Sequence, residues 1–575
     1  MKKILIVGGV AGGASFATRA RRLMEDADIT LFERGPHVSF ANCGLPYHIG
    51  KVIKEEKSLL VATPQLFENR FNINAKTEHD ILRIHPEKNS IEVKNLRSGE
   101  IFEETYDHLV LSPGASPLRP SLPGIDLENI FTLRNIPDME KIKEWIETHN
   151  AKSVVVIGAG FIGLEMAENL SHLKMEVSIV EKLPQIIPPM DAEMAFLAQE
   201  HLQENRVKLF LNDGIKGFSS EGKRVLTETE NGQKISSDLV ILSIGVRPET
   251  KLAQEAGLAI GARGGIQVND RLQTSIPNIW AVGDAIEVKE TLTGESLLLP
   301  LAGPANRQGR MVAENIAGSL NKFRGVQGTA ILEVFGLQVA FTGLSEKRLK
   351  FLKKEDYQSI YLYPNHHVAY YPGAETISLK VIYEKSSGKL LGAQAVGKAG
   401  IDKRIDVLAS FIQKAGTIDD LKEAELCYAP QFGAAKDPVN LAGMIAGNDR
   451  DGISPIIHWS EALTSSYFIL DVREPSETQS FPIPQSYNIP LPQLRQRFAE
   501  LPKDRKIAVT CAVGQRAHVA VCLLRQKGYD AYLITGSARS YRQMVGAKLI
   551  SGTLSQSIPN CAVQSSSSSV QKKCS

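Results

Sequence analysis

SVVVIGAGFIGLEMAENL, residues 153–170, decides the fold: an apolar run enters a turn carrying Gly158, Gly160 and Gly163, and the turn opens into a helical pattern. VSIVE follows and ends on Glu181. A strand, a glycine turn, a helix and a second strand ending in an acid make a dinucleotide-binding unit. The glycines let the backbone approach a pyrophosphate, the helix N-terminus faces that anion, and the acid accepts a ribose hydroxyl. Glu181 would repel a 2′-phosphate, so NADH is expected over NADPH, although Lys182 beside it weakens the preference.

The same design stands at the start of the chain. ILIVGGVAGG, residues 4–13, brings Gly8, Gly12 and Gly13; SFATRARRL reads as a helix, and DITLFE as a strand ending on Glu33, with Arg34 next to it. Val10 occupies the place of the middle glycine, and the second strand and its acid identify the unit nonetheless. Two such units imply two dinucleotides. YDHLVLSPGASP (106–117) and SDLVILSIGVRPE (237–249) are matched strand-then-glycine segments carrying Gly114 and Gly245. TSIPNIWAVGDA (274–285) offers Gly283 and Asp284 at a strand end, where a carboxylate can bind a flavin ribityl chain.

In this order and spacing, residues 1 to about 445 resemble the pyridine nucleotide-disulfide oxidoreductase family. The resemblance implies an α/β chain with two Rossmann-like, glutathione-reductase-like domains: FAD at 1–118 and 250–325, NAD(P)H at 119–249. It further implies an α+β dimerisation domain at 326–446 and a homodimer. Phe161 is then expected to gate the flavin face, and Glu165 to lie near the nicotinamide.

SFANCGLPYHIG, residues 39–50, holds one cysteine, Cys43, where dithiol members of the family carry CxxxxC; the next cysteine is Cys427. A dithiol mechanism is excluded. Of the 12 histidines none lies between His367 and His458, so the family's C-terminal acid/base histidine is missing as well. A lone cysteine can cycle through a sulfenic acid or through a mixed disulfide or persulfide with a small thiol. The peroxidase-like members carry a histidine in the first glycine turn, and GGVAGG has none.

The loop resembles that of coenzyme A-disulfide reductases, which implies Ser39 and Asn42 as substrate contacts. By the same resemblance Ser15, Arg19 and Arg22 hold the coenzyme A nucleotide, with Arg70, Asn306 and Arg307 at approximately corresponding places. A solvated helix face is the lesser alternative for Arg19 and Arg22. AYYPGA, with Tyr370 and Tyr371, and CYAPQFGAAKDPVN, with Tyr428 and Lys436, resemble segments that cross to the other subunit's cysteine. A tyrosine can protonate a departing thiolate; Tyr370 and Tyr371 also read as plain interface core. Cys427 reads as structural.

NDRDGISP (448–455) reads as a polar linker, and the linker is set at 447–454. YFILDVREPSE (467–477) and KIAVTCAVGQRAHVAVCLLRQKGY (506–529) resemble the two diagnostic segments of a rhodanese domain, taken as α/β over 455–551. Cys511, at a strand end before a short loop and a helix, has backbone N–H groups and a positive helix end directed at its sulfur, so a thiolate or persulfide is stabilised. Gly514 lets the loop close, Arg516 adds positive charge, and Asp471 and Arg473 belong to the same site. Cys522 reads as core. The serine-rich stretch 552–575, with Cys561 and Cys574, is expected to be disordered.

The 575 residues carry 66 Lys+Arg against 64 Asp+Glu, which gives no nucleic-acid footprint. No apolar run is long enough to span a bilayer, and six scattered cysteines form no disulfide framework, so a cytoplasmic location is expected. No metal site is expected. Together these features read as NADH-driven reduction of persulfides or polysulfides, coenzyme A-linked ones foremost, with the rhodanese domain handling sulfane sulfur. The alternatives are coenzyme A-disulfide reduction beside an independent sulfurtransferase domain, and a redox sensor or sulfur-trafficking module with little turnover.

Overall fold

A computed structural model describes residues 2–550. The stretch expected to be disordered, with Cys561 and Cys574, lies outside the described residues.

Lys3–Val7 is the centre of a five-stranded parallel sheet, flanked by Asp28–Glu33 and His108–Leu111 and closed by Asn74–Thr77 and Ile279–Ala281. Ser153–Ile157 occupies the same place in a second parallel sheet, between Glu176–Val180 and Leu239–Leu242, with Lys208–Phe210 and Ile130–Phe131 outermost. The unbroken apolar runs of the central strands fit this position, because strands covered on both faces have no solvent side to alternate with. In each unit a three-stranded antiparallel ribbon is inserted in the chain ahead of a central strand, His79–His85 to Ile101–Thr105 before His108–Leu111 and Ile215–Glu221 to Lys234–Ser237 before Leu239–Leu242.

The two glycine-rich turns are built alike. Gly8 and Gly158 have φ of 91° and 100°. A Cβ on Gly13 would stand 1.9 Å from the Gly8 carbonyl oxygen, and one on Gly163 2.0 Å from that of Gly158. Only glycine lets each helix start this close to its strand. Val10 and Gly160 are both N-caps at negative φ, so the backbone at that position accepts a side chain.

Ala115–Pro117 and Val246–Pro248, which follow the matched strand-then-glycine segments, pair antiparallel with each other. The chain thus leaves the first sheet's unit and returns to it through neighbouring strands.

Ala330–Val334, Leu337–Gly343, Leu390–Gly397, Ser378–Tyr383 and Gln358–Leu362 form an antiparallel sheet in that order, backed by the helix Ile401–Gln413. The helix Pro438–Arg450 runs into the stretch read as linker. A last parallel sheet follows, with Lys506–Thr510 at its centre between Tyr467–Asp471 and Ala531–Ile534.

This last unit shares a hydrophobic core with the antiparallel sheet, Leu379 and Val381 on one side and Leu470 and Val509 on the other. Its helix Ser537–Ile550 lies on Ala192–Glu204 of the second sheet's unit, where Arg542 pairs with Glu200. Close by, fully buried Lys380 extends Nζ to carboxylates from two units: Asp191 at 2.7 Å, Glu193 at 2.6 Å and Glu346 at 2.6 Å. Tyr361 donates its hydroxyl to Glu193 at 2.7 Å, and its backbone N–H donates to Thr535 Oγ1 at 2.9 Å.

Candidate active site

Ser39, at φ 47°, holds the Cys43 loop against the first glycine turn: its N–H donates to the Gly9 carbonyl at 2.7 Å and its carbonyl accepts from Val61 at 2.9 Å. The chain then makes a single 3-10 turn, Asn42–Gly44, and enters the short helix Leu45–Ile49. Asn42 Oδ1 accepts from the Cys43 N–H at 3.0 Å and lies 3.6 Å from Sγ. Cys43 is solvent-accessible in the single chain. Its thiol is nevertheless raised above its ordinary value, first by the protein packed around it and then by the nearby carboxylates of Glu165 and Asp284.

Glu165 stands on Phe161–His172, the helix of the second glycine turn. Burial raises its carboxyl to about 7, against a hydrogen bond at 3.4 Å from the Tyr47 hydroxyl. Tyr47 belongs to the Cys43 loop, so this bond joins the two dinucleotide units beside the cysteine. Sequence reasoning passed over Tyr47, four residues beyond Cys43 in the same loop. Phe161 packs 6.0 Å from Phe341.

Both acids expected at ribose positions are held by backbone amides. Glu33 accepts from Gly9 and Gly35, each at 2.8 Å; Glu181 accepts from Ala159 and Leu183, each at 2.8 Å. Neither glycine-turn helix has a side-chain cap or an acid in its first turn. Their leading N–H groups therefore suit an anion, and the pyrophosphates of FAD and of NAD(P)H fit these ends. Asp284 follows Gly283, whose N–H is fixed by Gln308 Oε1 at 2.7 Å; burial raises its carboxyl, with Arg134 opposing. Arg34 and Arg134 both reach Glu249, and Arg134 Nη2 donates to the Pro113 carbonyl next to Gly114. Gly245 lies at the mouth of the second sheet, φ 110°.

The helices Ala11–Leu23 and Ala302–Ile316 cross where Gly12 meets Gly309; a Cβ on Gly309 would stand 2.3 Å from the Gly12 carbonyl oxygen. This crossing brings Ser15 Oγ within 3.1 Å of the Asn306 carbonyl. Arg19 is paired with Glu314 at 2.8 Å, and Glu314 also takes Arg310 at 3.1 Å. Arg22, Arg307 and Arg70 are exposed. Arg70 ends the helix Pro64–Phe71, which buried Arg21 ties to the first helix through the Phe71 carbonyl at 2.8 Å.

Tyr370 and Tyr428 meet hydroxyl to hydroxyl at 3.2 Å. They are 75% and 47% exposed, and Tyr371 packs edge-on against His367. Lys436 is exposed. Among the described residues no hydrogen bond or ring contact joins Cys43 to these tyrosines within one chain. Cys427 is exposed.

Cys511 is 1% exposed at the end of its strand. Gly514, at φ 109° and capping the helix Gln515–Gln526, donates its N–H to the sulfur at 3.1 Å, while the Cys511 N–H goes to Ser537 Oγ at 3.2 Å. Arg516 forms a two-bond pair with Glu477 at 2.6 and 2.7 Å, so its charge is already balanced. Asp471 and Arg473 face each other, buried, and Arg473 Nη2 donates to the Phe481 carbonyl at 2.9 Å; they build the wall of the loop. Cys522 is half-buried, 3.8 Å from the His518 ring nitrogens.

A pair of glycine-rich turns, with an accessible cysteine at the seam between their units, defines an NAD(P)H-dependent flavoprotein disulfide oxidoreductase. The chain belongs to the pyridine nucleotide-disulphide oxidoreductase family, whose model matches residues 2–309, with the family's dimerisation domain at 329–437 and a rhodanese-like domain at 458–544. It is 38% identical over 444 residues to the coenzyme A disulfide reductase of Staphylococcus haemolyticus (strain JCSC1435), 77% of this chain and 99% of that protein. The crystal structure of reduced Bacillus anthracis CoADR-RHD superposes with TM-score 0.92 at 45% identity, covering 95% of this chain and 98% of the other. The structure of a NAD-dependent persulfide reductase from A. fulgidus superposes at 0.87 and 36%, covering 94% and 100%. The dimerisation domain suggests a homodimer. Among the described residues no helix is long and apolar enough to cross a membrane.

Proposed function

We propose that the chain reduces persulfides or polysulfides at the expense of NADH, coenzyme A-linked persulfides foremost, and that its rhodanese domain supplies or collects sulfane sulfur. The observation that carries this reading is the presence of two separate single-cysteine sites, Cys43 and Cys511, in one chain whose rhodanese unit shares a buried core with the antiparallel-sheet unit. A sulfur-carrying loop has no task in reducing a disulfide between two ordinary thiols, and the A. fulgidus relative with the same extent is named for persulfide reduction.

FAD, when bound, would carry the two electrons of NADH to sulfur. Gly8, Gly12, Gly13, Glu33, Gly283 and Asp284 would hold it, and Gly158, Gly160, Gly163 and Glu181 would hold the nicotinamide dinucleotide. Lys182 is drawn toward Glu230 at 3.5 Å, which favours NADH. Cys43, as thiolate, attacks the sulfur–sulfur bond of the substrate. That bond breaks, a mixed disulfide forms on Cys43, and the leaving sulfur takes a proton from Tyr428 of the partner subunit. Two electrons and a proton then release the retained thiol and restore the Cys43 thiolate. Ser39 and Asn42 position the substrate sulfur, and Ser15, Arg22, Arg70, Asn306, Arg307 and Lys436 line the way for a nucleotide-bearing thiol.

NADH consumption measured side by side with coenzyme A persulfide, polysulfide and coenzyme A disulfide tests the reading: kcat/KM is expected to be highest for the persulfide. Cys43→Ser should abolish turnover while NADH still bleaches the flavin. Cys511→Ser should abolish thiosulfate sulfurtransfer and spare reduction of the soluble persulfide. A kcat/KM highest for coenzyme A disulfide would favour the second reading, which the staphylococcal relative supports by name. No turnover with any of the three would overturn both.

A further inference from the structure

Tyr370 and Tyr428 are exposed, and among the described residues no hydrogen bond apart from their shared hydroxyl contact fixes either side chain. Their placement must come from the backbone beneath them. Two segments carry them, 366–371 and 428–437, separated along the chain by the strands Ser378–Tyr383 and Leu390–Gly397 and the helices Ile401–Gln413 and Ile418–Glu423.

One buried group ties these segments together. Arg404, on that helix, is 1% exposed. Its Nη2 donates to the His366 carbonyl at 2.7 Å and to Asp437 Oδ2 at 2.8 Å; Nε reaches Asp437 Oδ1 at 3.4 Å and Nη1 the Gly400 carbonyl at 3.3 Å. Asp437 caps the helix Pro438–Arg450, accepting from the Val439 N–H at 3.0 Å. Asn440 completes that cap and donates to the Leu421 and Ala424 carbonyls, fixing the approach to Tyr428. Between the segments themselves, the Val368 N–H donates to the Gly433 carbonyl at 3.0 Å. A planar guanidinium can hold a carbonyl and a carboxylate at one fixed spacing, which an ammonium cannot do.

We propose that Arg404, with Asp437, is the positioning residue for the cross-subunit proton donors, setting the spacing of the two segments and hence the contact between Tyr370 and Tyr428. The proposal rests on the reading of Tyr428 as proton donor. Arg404 touches no substrate; it acts through the tyrosines. An ångström of misplacement at a proton donor is enough to cost one to two orders of magnitude in rate.

The test compares Arg404→Lys, Arg404→Met and Tyr428→Phe in the full-length flavoprotein, with coenzyme A persulfide as substrate. Tyr428→Phe is expected to lower kcat about 10²-fold. Arg404→Met should lower kcat about 10-fold or more at little change in KM, with Arg404→Lys in between. The alkaline limb of the kcat profile should move in both Arg404 variants, because the two hydroxyls no longer share a proton at a fixed distance. Dimer mass, flavin reduction by NADH and thiosulfate sulfurtransfer should stay at wild-type levels. Wild-type kcat and pH profile in both Arg404 variants, beside an impaired Tyr428→Phe, overturn the role of Arg404 alone. Wild-type turnover in Tyr428→Phe overturns the proton-donor reading itself. Loss of dimer or of flavin reduction in Arg404→Lys would make the pair merely structural and overturn the proposal too.

Discussion

Around Cys43 the unliganded protein opposes ionisation, since burial and the carboxylates of Glu165 and Asp284 all raise the thiol. Glu165→Gln removes one of those charges, so the pH midpoint of Cys43 alkylation by iodoacetamide, followed by peptide mass spectrometry, should fall. An unchanged midpoint would contradict the coupling. Glu165 also has a signature in stability. Folded, it keeps its proton to about pH 7, whereas unfolded it releases it in the usual carboxylate range. The folded chain therefore binds more protons in that window, and stability falls as pH rises through it. In Glu165→Gln the fall in Tm between pH 5 and pH 8 should be smaller. Cys43, Cys511, Glu33 and Glu181 could be singled out in the sequence because each sits within a contiguous motif. Tyr47 was not, because its partner lies 118 residues away and a tyrosine in a short helix carries no local mark.

At the scale of elements, the glycine turns announce themselves because strand, turn and helix are consecutive and their glycines answer to steric limits within a dozen residues. The crossing of Ala11–Leu23 with Ala302–Ile316 does not, since Gly309 reads as an ordinary helix glycine until Gly12 is found against it. Gly309→Ala should force these helices apart and cost about 1–3 kcal/mol, with purified protein retaining less FAD. Tm and the ratio of flavin to protein absorbance check this, and full flavin content at wild-type Tm would mean that the crossing yields. The charged groups expected on this face turn out unequal. Arg19 is neutralised by Glu314, while Arg22 and Arg307 remain open to a ligand phosphate.

The family, the two dinucleotide units and the rhodanese unit could be read along the chain; how the second dinucleotide unit is fastened to the antiparallel sheet could not. Asp191, Glu193, Glu346 and Lys380 are unremarkable singly, and only the folded chain gathers them. Lys380→Met would leave three inward carboxylates without their cation, at a cost of about 3–5 kcal/mol. Calorimetry should show a lower transition temperature; an unaltered transition would refute the role of the cluster. Lys380 holds the Asp191 and Glu346 carboxyls below their usual range. Their contribution is therefore full above the usual carboxylate range and is lost as pH falls through the depressed values. The destabilisation by Lys380→Met should accordingly be largest near neutral pH and shrink as pH falls through the carboxylate range.

The ladder of Ala115–Pro117 with Val246–Pro248 has a consequence of another kind. Because both passages between the dinucleotide units lie side by side, the intervening stretch is a loop of chain whose two ends meet, like a cassette set into a slot. A cassette with adjoining ends can be exchanged whole without moving the strands that frame the slot. The choice between NADH and NADPH is thereby free to drift in evolution, or to be grafted in the laboratory, while the flavin-side framework keeps its register.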